Sequence, residues 1–340
     1  MLKLKVLLFF ENQRAMRKSG IGRAMLHQQA SLKMNNVETT LNPKDSYDIA
    51  HINTYFLKSL HVLKKCKKNG IPVIVHGHST KEDFRNSFAF WWLAKPFFYK
   101  MMEWVYSRAD LIITPTPYSK SLIEGYDYIK CPVVAVSNGI NINKYNVSPG
   151  DERKRELRAR FGIKDGQRVV IGIGWTFERK GTHDFIEIAK SFPEVKFIWF
   201  GNKNKLSNTR LINNAIKNKS DNCLLPGYVE QEVIIEMLHL ADCFLFPSYE
   251  ETEGIVVLEA LATRCPTIVR NIGALSYLEN GRDAIMCNNN LEFIEAIKKV
   301  LNSDNKEMVD NGYRLANDRD LINVGALLKH YYEELLNKNK

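Results

Sequence analysis

A chain of 340 residues, 45% of them apolar and 25% charged, has room for one large or two medium globular domains and lacks the bias of a disordered or fibrous protein. No apolar run is long enough to span a bilayer, and the start, Met1 to Phe10, combines lysines with a short apolar run and no cleavage site, so it reads as a first strand and not as a signal peptide. The formal charge of +10 is lopsided: residues 1–148 hold 21 Lys and Arg against 10 Asp and Glu (net +11), residues 149–340 hold 27 against 28 (net −1). A basic surplus confined to one half calls for an anionic partner there, be it a membrane surface, a nucleic acid or an acidic substrate.

Short apolar runs alternate with longer helical stretches along the chain. Val6–Phe10, Ile71–Val75, Leu111–Thr114 and Val133–Val136 read as strands of a first set. Val169–Ile173, Lys196–Phe200, Cys243–Phe246 and Thr267–Arg270 read as a second. Near-continuous apolar strands separated by helices predict parallel sheets covered on both faces. The turn-rich stretch 138–150 divides the sets, and a charged helix over 151–161 opens the second domain. We therefore expect domains at 1–148 and 149–340. A terminal helix over about 315–335 follows from the spacing of Leu321, Gly325, Leu328, Tyr332 and Leu335. The six cysteines show no Cys-x-x-Cys spacing and read as reduced, mostly buried thiols.

The most informative segment is Glu251-Thr-Glu-Gly-Ile-Val-Val-Leu-Glu259, which follows the strand ending at Phe246. The glycine predicts a turn and a helix over 256–263, with Glu251 in the loop and Glu259 in the helix. The amides of Gly254, Ile255 and Val256 at that helix start form an anion site. An anion site flanked by two carboxylates suits a nucleotide sugar: the amides hold diphosphate, one carboxylate accepts from ribose, the other faces sugar hydroxyls. In Gly174-Trp-Thr-Phe-Glu-Arg-Lys-Gly181, Arg179 and Lys180 leave a strand end beside a glycine, a pairing suited to pyrophosphate or, more blandly, to a solvated loop. Ser19-Gly-Ile-Gly-Arg23 offers Gly20 and Gly22 for close backbone approach at a helix start, a weak signal alone. His76-Gly-His78 ends a buried strand, where open α/β sheets bind ligands. His76 reads as structural, and a metal reading of the pair lacks further ligands. Asp318-Arg-Asp320 reads as surface and not as a metal motif.

Together these segments resemble the retaining glycosyltransferases of family 4, with the GT-B fold. The two carboxylates match its Glu-x7-Glu signature, Val136-Ser-Asn-Gly-Ile-Asn141 its domain-junction motif with Asn138, and 174–181 its phosphate loop. Phe200-Gly201 and Leu225-Pro-Gly-Tyr228-Val229 match its base-binding loops. The resemblance covers residues 1–300 or so, and it implies two Rossmann-like doubly wound parallel-sheet domains facing a cleft, the first for acceptor and the second for donor. It also implies that the terminal helix crosses back to the first domain. Lys180 becomes the phosphate lysine, His78 the histidine near the transferred sugar, expected to donate a hydrogen bond to it or to the surroundings of the leaving group, Glu259 the ribose carboxylate and Glu251 the one beside the sugar hydroxyls. Gly20, Gly22 and Gly174 then approach the donor diphosphate. Retention would proceed by front-face substitution, with catalysis by positioning and electrostatics. Four positions depart from the pattern: Trp175 stands where the family has Arg, a role we expect Arg179 to take over; Glu253 replaces an aromatic, Arg264 replaces Gly, and Ser276 replaces Glu.

Residues 81–108 form the second informative segment. Phe84, Phe88, Trp91, Trp92, Tyr99, Met102 and Tyr106 make a loose helical stripe, and Pro96 is expected to kink or split the helix. Three tryptophans among Lys95, Lys100 and Arg108 make the composition of an interfacial helix, so Trp91, Trp92, Lys95, Phe97, Phe98 and Lys100 are expected to meet acceptor or membrane. The competing reading is a core helix. Lys64-Lys-Cys-Lys-Lys68 adds charge nearby. The loops resemble those of bacterial diacylglycerol glycosyltransferases, above all the shorter ones that add a second hexose. That implies a hexosyltransferase moving glucose or galactose from a UDP-sugar to monoglycosyl-diacylglycerol, with α linkage. It would be cytoplasmic and peripheral on the inner face of the cell membrane, without a tightly bound cofactor or a motif that requires a divalent metal, and without nucleic acid as a partner. The alternatives are a glycosyltransferase of polysaccharide or lipid-linked oligosaccharide synthesis and, from another class, a non-catalytic basic protein that binds nucleic acid or membrane.

Overall fold

The computed structural model describes residues 4–12, 20–85, 90–202 and 209–338. Two compact units divide the chain. One draws on Met1–Phe84, Trp92–Asn141 and Arg319–Lys340, the other on Arg85–Trp91 and Ile142–Asp318.

The first unit runs β1 (Lys5–Phe9), α1 (Gly20–Met34), β2 (Glu38–Thr40), β3 (Ile49–Ile52), α2 (Leu57–Lys68), β4 (Val73–His76), α3 (Trp91–Tyr106), β5 (Leu111–Thr114), α4 (Pro117–Glu124) and β6 (Val133–Ala135). Its six strands pair in parallel in the order β2-β1-β3-β4-β5-β6. Every residue of β3, β4 and β5 is buried, the mark of a parallel sheet covered on both faces. Two strands escape a reading of apolar runs: Glu38-Thr-Thr40 is a short polar edge, and His51 interrupts Ile49–Ile52. Helix α3 does not split at Pro96. The helix runs unbroken over Trp91–Tyr106 with Pro96 in its second turn, where proline has no N–H to give the Trp92 carbonyl.

The second unit runs α5 (Ile142–Tyr145), α6 (Asp151–Arg160), β7 (Val169–Ile173), a 3-10 turn over Glu178–Lys180, α7 (Thr182–Ala189), β8 (Lys196–Phe200), α8 (Arg210–Lys217), β9 (Cys223–Gly227), α9 (Gln231–Leu240), β10 (Cys243–Phe246), α10 (Ile255–Ala262), β11 (Thr267–Arg270), β12 (Ile285–Cys287), α11 (Asn290–Asn302) and α12 (Lys306–Asn317). The sheet order is β12-β11-β10-β7-β8-β9, again parallel. Phe185, Phe197, Trp199, Leu245, Ile268 and Phe293 pack in its core. Leu225-Pro-Gly227, expected as loop, is the end of edge strand β9; an edge tolerates Pro226, which has no N–H for the ladder.

The last helix, α13 (Leu321–Lys338), packs on α1 of the first unit. Leu328 and Tyr332 join Val6, Leu8 and Ile74 in one core cluster. The approach is close: a Cβ at Gly325 would lie 2.2 Å from the Ser31 carbonyl oxygen. Asn35 Nδ2 donates to Ser31 O and to Ile322 O, both at 2.9 Å, which ties the two helices. All six cysteines are free thiols, five of them buried. Among the described residues no helix is long and apolar enough to cross a membrane.

Candidate active site

Strand order places the candidate site of the second unit. From β7 the chain winds one way through β8 and β9, then returns to the other side through β10, β11 and β12. The carboxyl ends of neighbouring β7 and β10 are therefore a topological switch point, where doubly wound sheets bind ligands. The loops leaving these two strands carry Gly174–Gly181 and Pro247–Gly254.

Glycines let these loops meet. A Cβ on Gly201 would lie 1.8 Å from the Gly174 carbonyl oxygen, and one on Gly181 would lie 2.2 Å from that of Pro247. Trp199 Nε1 donates to Gly174 O at 2.8 Å, and Tyr249 N donates to Arg179 O at 2.7 Å. At the centre, Lys180 Nζ forms an ion pair with Glu251 Oε1. Ser248 Oγ donates to the same oxygen at 2.7 Å, and Arg179 Nη1 lies 3.7 Å from Glu251 Oε2. Burial alone would push the Glu251 carboxyl up, but Lys180 and then Arg179 override it and hold it below the usual carboxylate range. Arg179 Nη1 also donates to Glu250 O at 2.6 Å, so its guanidinium braces the 250–251 backbone. Trp175 stacks on Phe177 with centroids 5.5 Å apart.

Helix α10 starts one residue earlier than its sequence suggests, behind Gly254 in the left-handed conformation (φ +80°). The amides of Ile255 and Val256 lie in its first turn, which has no intrahelical acceptors. Glu259 is fully buried, and its Oε1 accepts from the Tyr145 hydroxyl at 2.7 Å; Gln231 Nε2 donates to that hydroxyl at 2.8 Å. Tyr228 is exposed beside Glu230. Arg264 has φ +59°, the backbone region that favours glycine, so the local turn survives the substitution; its side chain pairs with Asp310 and lies over Tyr313.

In the first unit, Gly20 and Gly22 fall within the first turn of α1 and not in a loop before it; Ser19 lies outside the described residues. Asn138 is buried next to Gly139 (φ +73°), whose carbonyl lies 2.8 Å from His27 Nδ1. His78 follows β4 and is buried. Its ring stacks on His76 at 3.8 Å, and His76 stacks on His51 at 5.3 Å. Burial pushes all three imidazoles down, His76 to about 3. His78 Nε2 lies 2.9 Å from Asn53 Oδ1. Asn53, His51, Gln28, Tyr145 and Ser248 carry no motif of their own, and the sequence reading missed them.

Helix α3 divides its aromatic residues between core and surface. Trp92, Leu93 and Phe97 are 58%, 63% and 60% exposed. Lys100 is exposed beside them, while Trp91 and Lys95 are half-buried. Phe98 does not belong to that surface: it is buried and stacks on Phe84 at 3.8 Å, because it lies about 100° around the helix from Phe97. Met102 and Tyr106 are core residues, and Phe88 lies outside the described residues.

Two doubly wound sheets, with paired carboxylates and a lysine at the second sheet's switch point, define a two-domain α/β glycosyltransferase of the GT-B class. Family models agree: residues 153–315 match "Glycosyl transferases group 1" and residues 35–144 match "Glycosyltransferase Family 4". The chain is 48% identical to the processive diacylglycerol alpha-glucosyltransferase of Acholeplasma laidlawii, over 98% of this chain and 99% of that one. It is 27% identical to the alpha-galactosylglucosyldiacylglycerol synthase of Streptococcus pneumoniae, over 76% and 68%. Among solved structures, sucrose-phosphate synthase from Thermosynechococcus elongatus superposes with a TM-score of 0.82 at 14% identity, over 99% of this chain and 100% of that chain. Anabaena HepE in complex with UDP-glucose superposes with a TM-score of 0.77 at 16% identity, over 97% and 100%. The chain belongs to glycosyltransferase family 4 and is a hexosyltransferase.

Proposed function

We propose that the protein transfers glucose from UDP-glucose to a diacylglycerol-based glycolipid at an anionic membrane surface, with α configuration. The observation that carries the substrate class is the 48% identity, over nearly the full length of both chains, to a diacylglycerol alpha-glucosyltransferase. The second unit holds the donor. The α10 amides and Lys180, with Arg179 beside it, bind the diphosphate, Glu259 accepts from ribose, and Gly201 and Tyr228 border the base. The first unit binds the acceptor, and the family resemblance gives His78 a role for the transferred sugar and Gly20, Gly22 and Asn138 a role for the donor.

In this reading the C1–O bond to UDP breaks as the acceptor oxygen bonds C1 from the same face, and the acceptor proton passes to the departing phosphate oxygen. The enzyme contributes positioning and charge stabilisation. Glu251 is no nucleophile here. Its carboxylate is engaged by Lys180 and Ser248, and it orients the lysine that neutralises the diphosphate. Trp92, Leu93, Phe97 and Lys100 give α3 an apolar face with a cation, which suits insertion among anionic headgroups at about 1 kcal/mol per basic residue.

The test is transfer by purified protein in anionic mixed micelles, with UDP-glucose and UDP-galactose in parallel and diacylglycerol or glucosyl-diacylglycerol as acceptor. Glucosylated lipid supports the proposal. Product from UDP-galactose alone would replace the donor, as the name of the Streptococcus relative suggests. Donor hydrolysis without lipid product would refute the lipid acceptor and favour a polysaccharide or lipid-linked oligosaccharide one.

A further inference from the structure

We infer that Asn53 is a positioning residue for His78: it fixes the imidazole as the Nε2–H tautomer and so makes Nδ1 the acceptor nitrogen toward the sugar. The inference rests on the reading that His78 faces the transferred sugar.

Asn53 directly follows β3, the neighbour of β4. Its Nδ2 lies 3.4 Å from the backbone carbonyl of His51 and 3.0 Å from Gln28 Oε1. A backbone carbonyl cannot be turned around and can only accept. Reversing the Asn53 amide would set its oxygen against that carbonyl oxygen, so Nδ2 faces His51 O and Oδ1 faces His78. At 2.9 Å the His78 Nε2 must then donate to Oδ1. A neutral imidazole has one N–H, and a proton on Nε2 leaves Nδ1 as acceptor.

The same logic orients Gln28. Its Oε1 takes the Asn53 amide, which turns its Nε2 to the His51 ring, 2.9 Å from Nδ1 and 3.2 Å from Nε2, and to the Tyr332 hydroxyl oxygen. The Tyr332 hydroxyl, from α13, lies 2.7 Å from His51 Nδ1. Asn53, Gln28, His51 and Tyr332 are all buried, so solvent offers none of them a substitute partner. The histidine is thus held by a relay that starts at a backbone carbonyl and ends on the last helix. A working histidine depends on such outer partners for its tautomer and ring orientation.

The experiment combines nitrogen NMR of histidine-labelled full-length protein with transfer kinetics. In the wild type the His78 proton should sit on Nε2. Asn53→Leu should spread it over both nitrogens and lower kcat roughly tenfold or more, with KM for the UDP-sugar within about twofold. Asn53→Asp should keep the proton on Nε2 but place a carboxylate on the imidazole, moving the acid limb of the pH–rate profile to higher pH. Melting temperatures separate these effects from failure to fold, and if Asn53→Leu does not fold, the wild-type tautomer and the Asn53→Asp profile decide. A proton on Nδ1 in the wild type, or an Asn53→Leu variant with unchanged tautomer and kcat, would overturn the inference. A fully active His78→Ala variant would instead overturn the reading of His78 itself, whatever its tautomer.

Discussion

The ion pair between Lys180 and Glu251 makes a quantitative prediction. Its two side chains are only 18% and 9% exposed. A close pair near a protein surface gains roughly 4 kcal/mol at an effective dielectric constant of about 20, and partial desolvation of both ions cancels about half of it. Glu251→Gln leaves Lys180 and Arg179 facing each other without a carboxylate, which should cost about 3 kcal/mol of stability. Lys180→Met leaves Glu251 with Arg179 and Ser248, so about 2 kcal/mol is expected. With both changes the lost attraction is counted once, so the double variant should lose about 3 and not 5 kcal/mol, a coupling of about 2 kcal/mol. The assay is a double-mutant cycle by urea unfolding at neutral pH. The sign with pH follows from the lowered carboxyl: the coupling is present above the ordinary carboxylate range and fades as pH falls below it and Glu251 protonates. A coupling under about 0.5 kcal/mol at neutral pH would refute the reasoning, since unconnected sites add to within that margin.

Gly201→Ala should cost at least about 3 kcal/mol, because its Cβ would meet the Gly174 carbonyl oxygen at 1.8 Å. Gly254→Ala meets nothing nearer than 3.4 Å and should cost only the left-handed backbone, about 1–2 kcal/mol; equal melting temperatures would refute the distinction. Stability should fall with pH below about 6.5, where the unfolded histidines take up protons that His51, His76 and His78 refuse when folded. Each contributes a slope of about 1.4 kcal/mol per pH unit, for His76 down to about pH 3, so His76→Asn should remove one such share between pH 6 and 5, and an unchanged slope in urea titrations would count against it. Trp92→Ala with Phe97→Ala should weaken sedimentation with anionic vesicles while leaving the melting temperature nearly unchanged, because both rings are exposed; undiminished vesicle binding would remove α3 as the membrane face.

The sequence revealed strands where burial on both faces makes a continuous apolar run, as in Leu111–Thr114 or Val169–Ile173, and hid them where an edge needs no such run, as in Glu38–Thr40 or the Pro226-bearing β9. The α3 stripe held both a core face and a surface face, and composition alone could not assign neighbours such as Phe97 and Phe98 to opposite sides. The candidate site shows the same divide. Its loops were legible as glycine-punctuated segments after strands, but Lys180 and Glu251 were assigned separate duties, one to phosphate and one to sugar. They meet because β10 returns to lie beside β7, a crossover of the sheet that no local pattern encodes. Asn53 and Gln28 were invisible for a related reason: their meaning lies in which of their atoms faces a fixed backbone carbonyl. Motifs therefore marked candidate groups at strand ends, while the groups that hold them became visible only with strand neighbours and hydrogen-bond direction. Through Gln28, His51 and Asn53, Tyr332 of the last helix joins the hydrogen-bond network that ends on His78, so a residue far along the chain shares in setting the proton of a histidine at the end of β4.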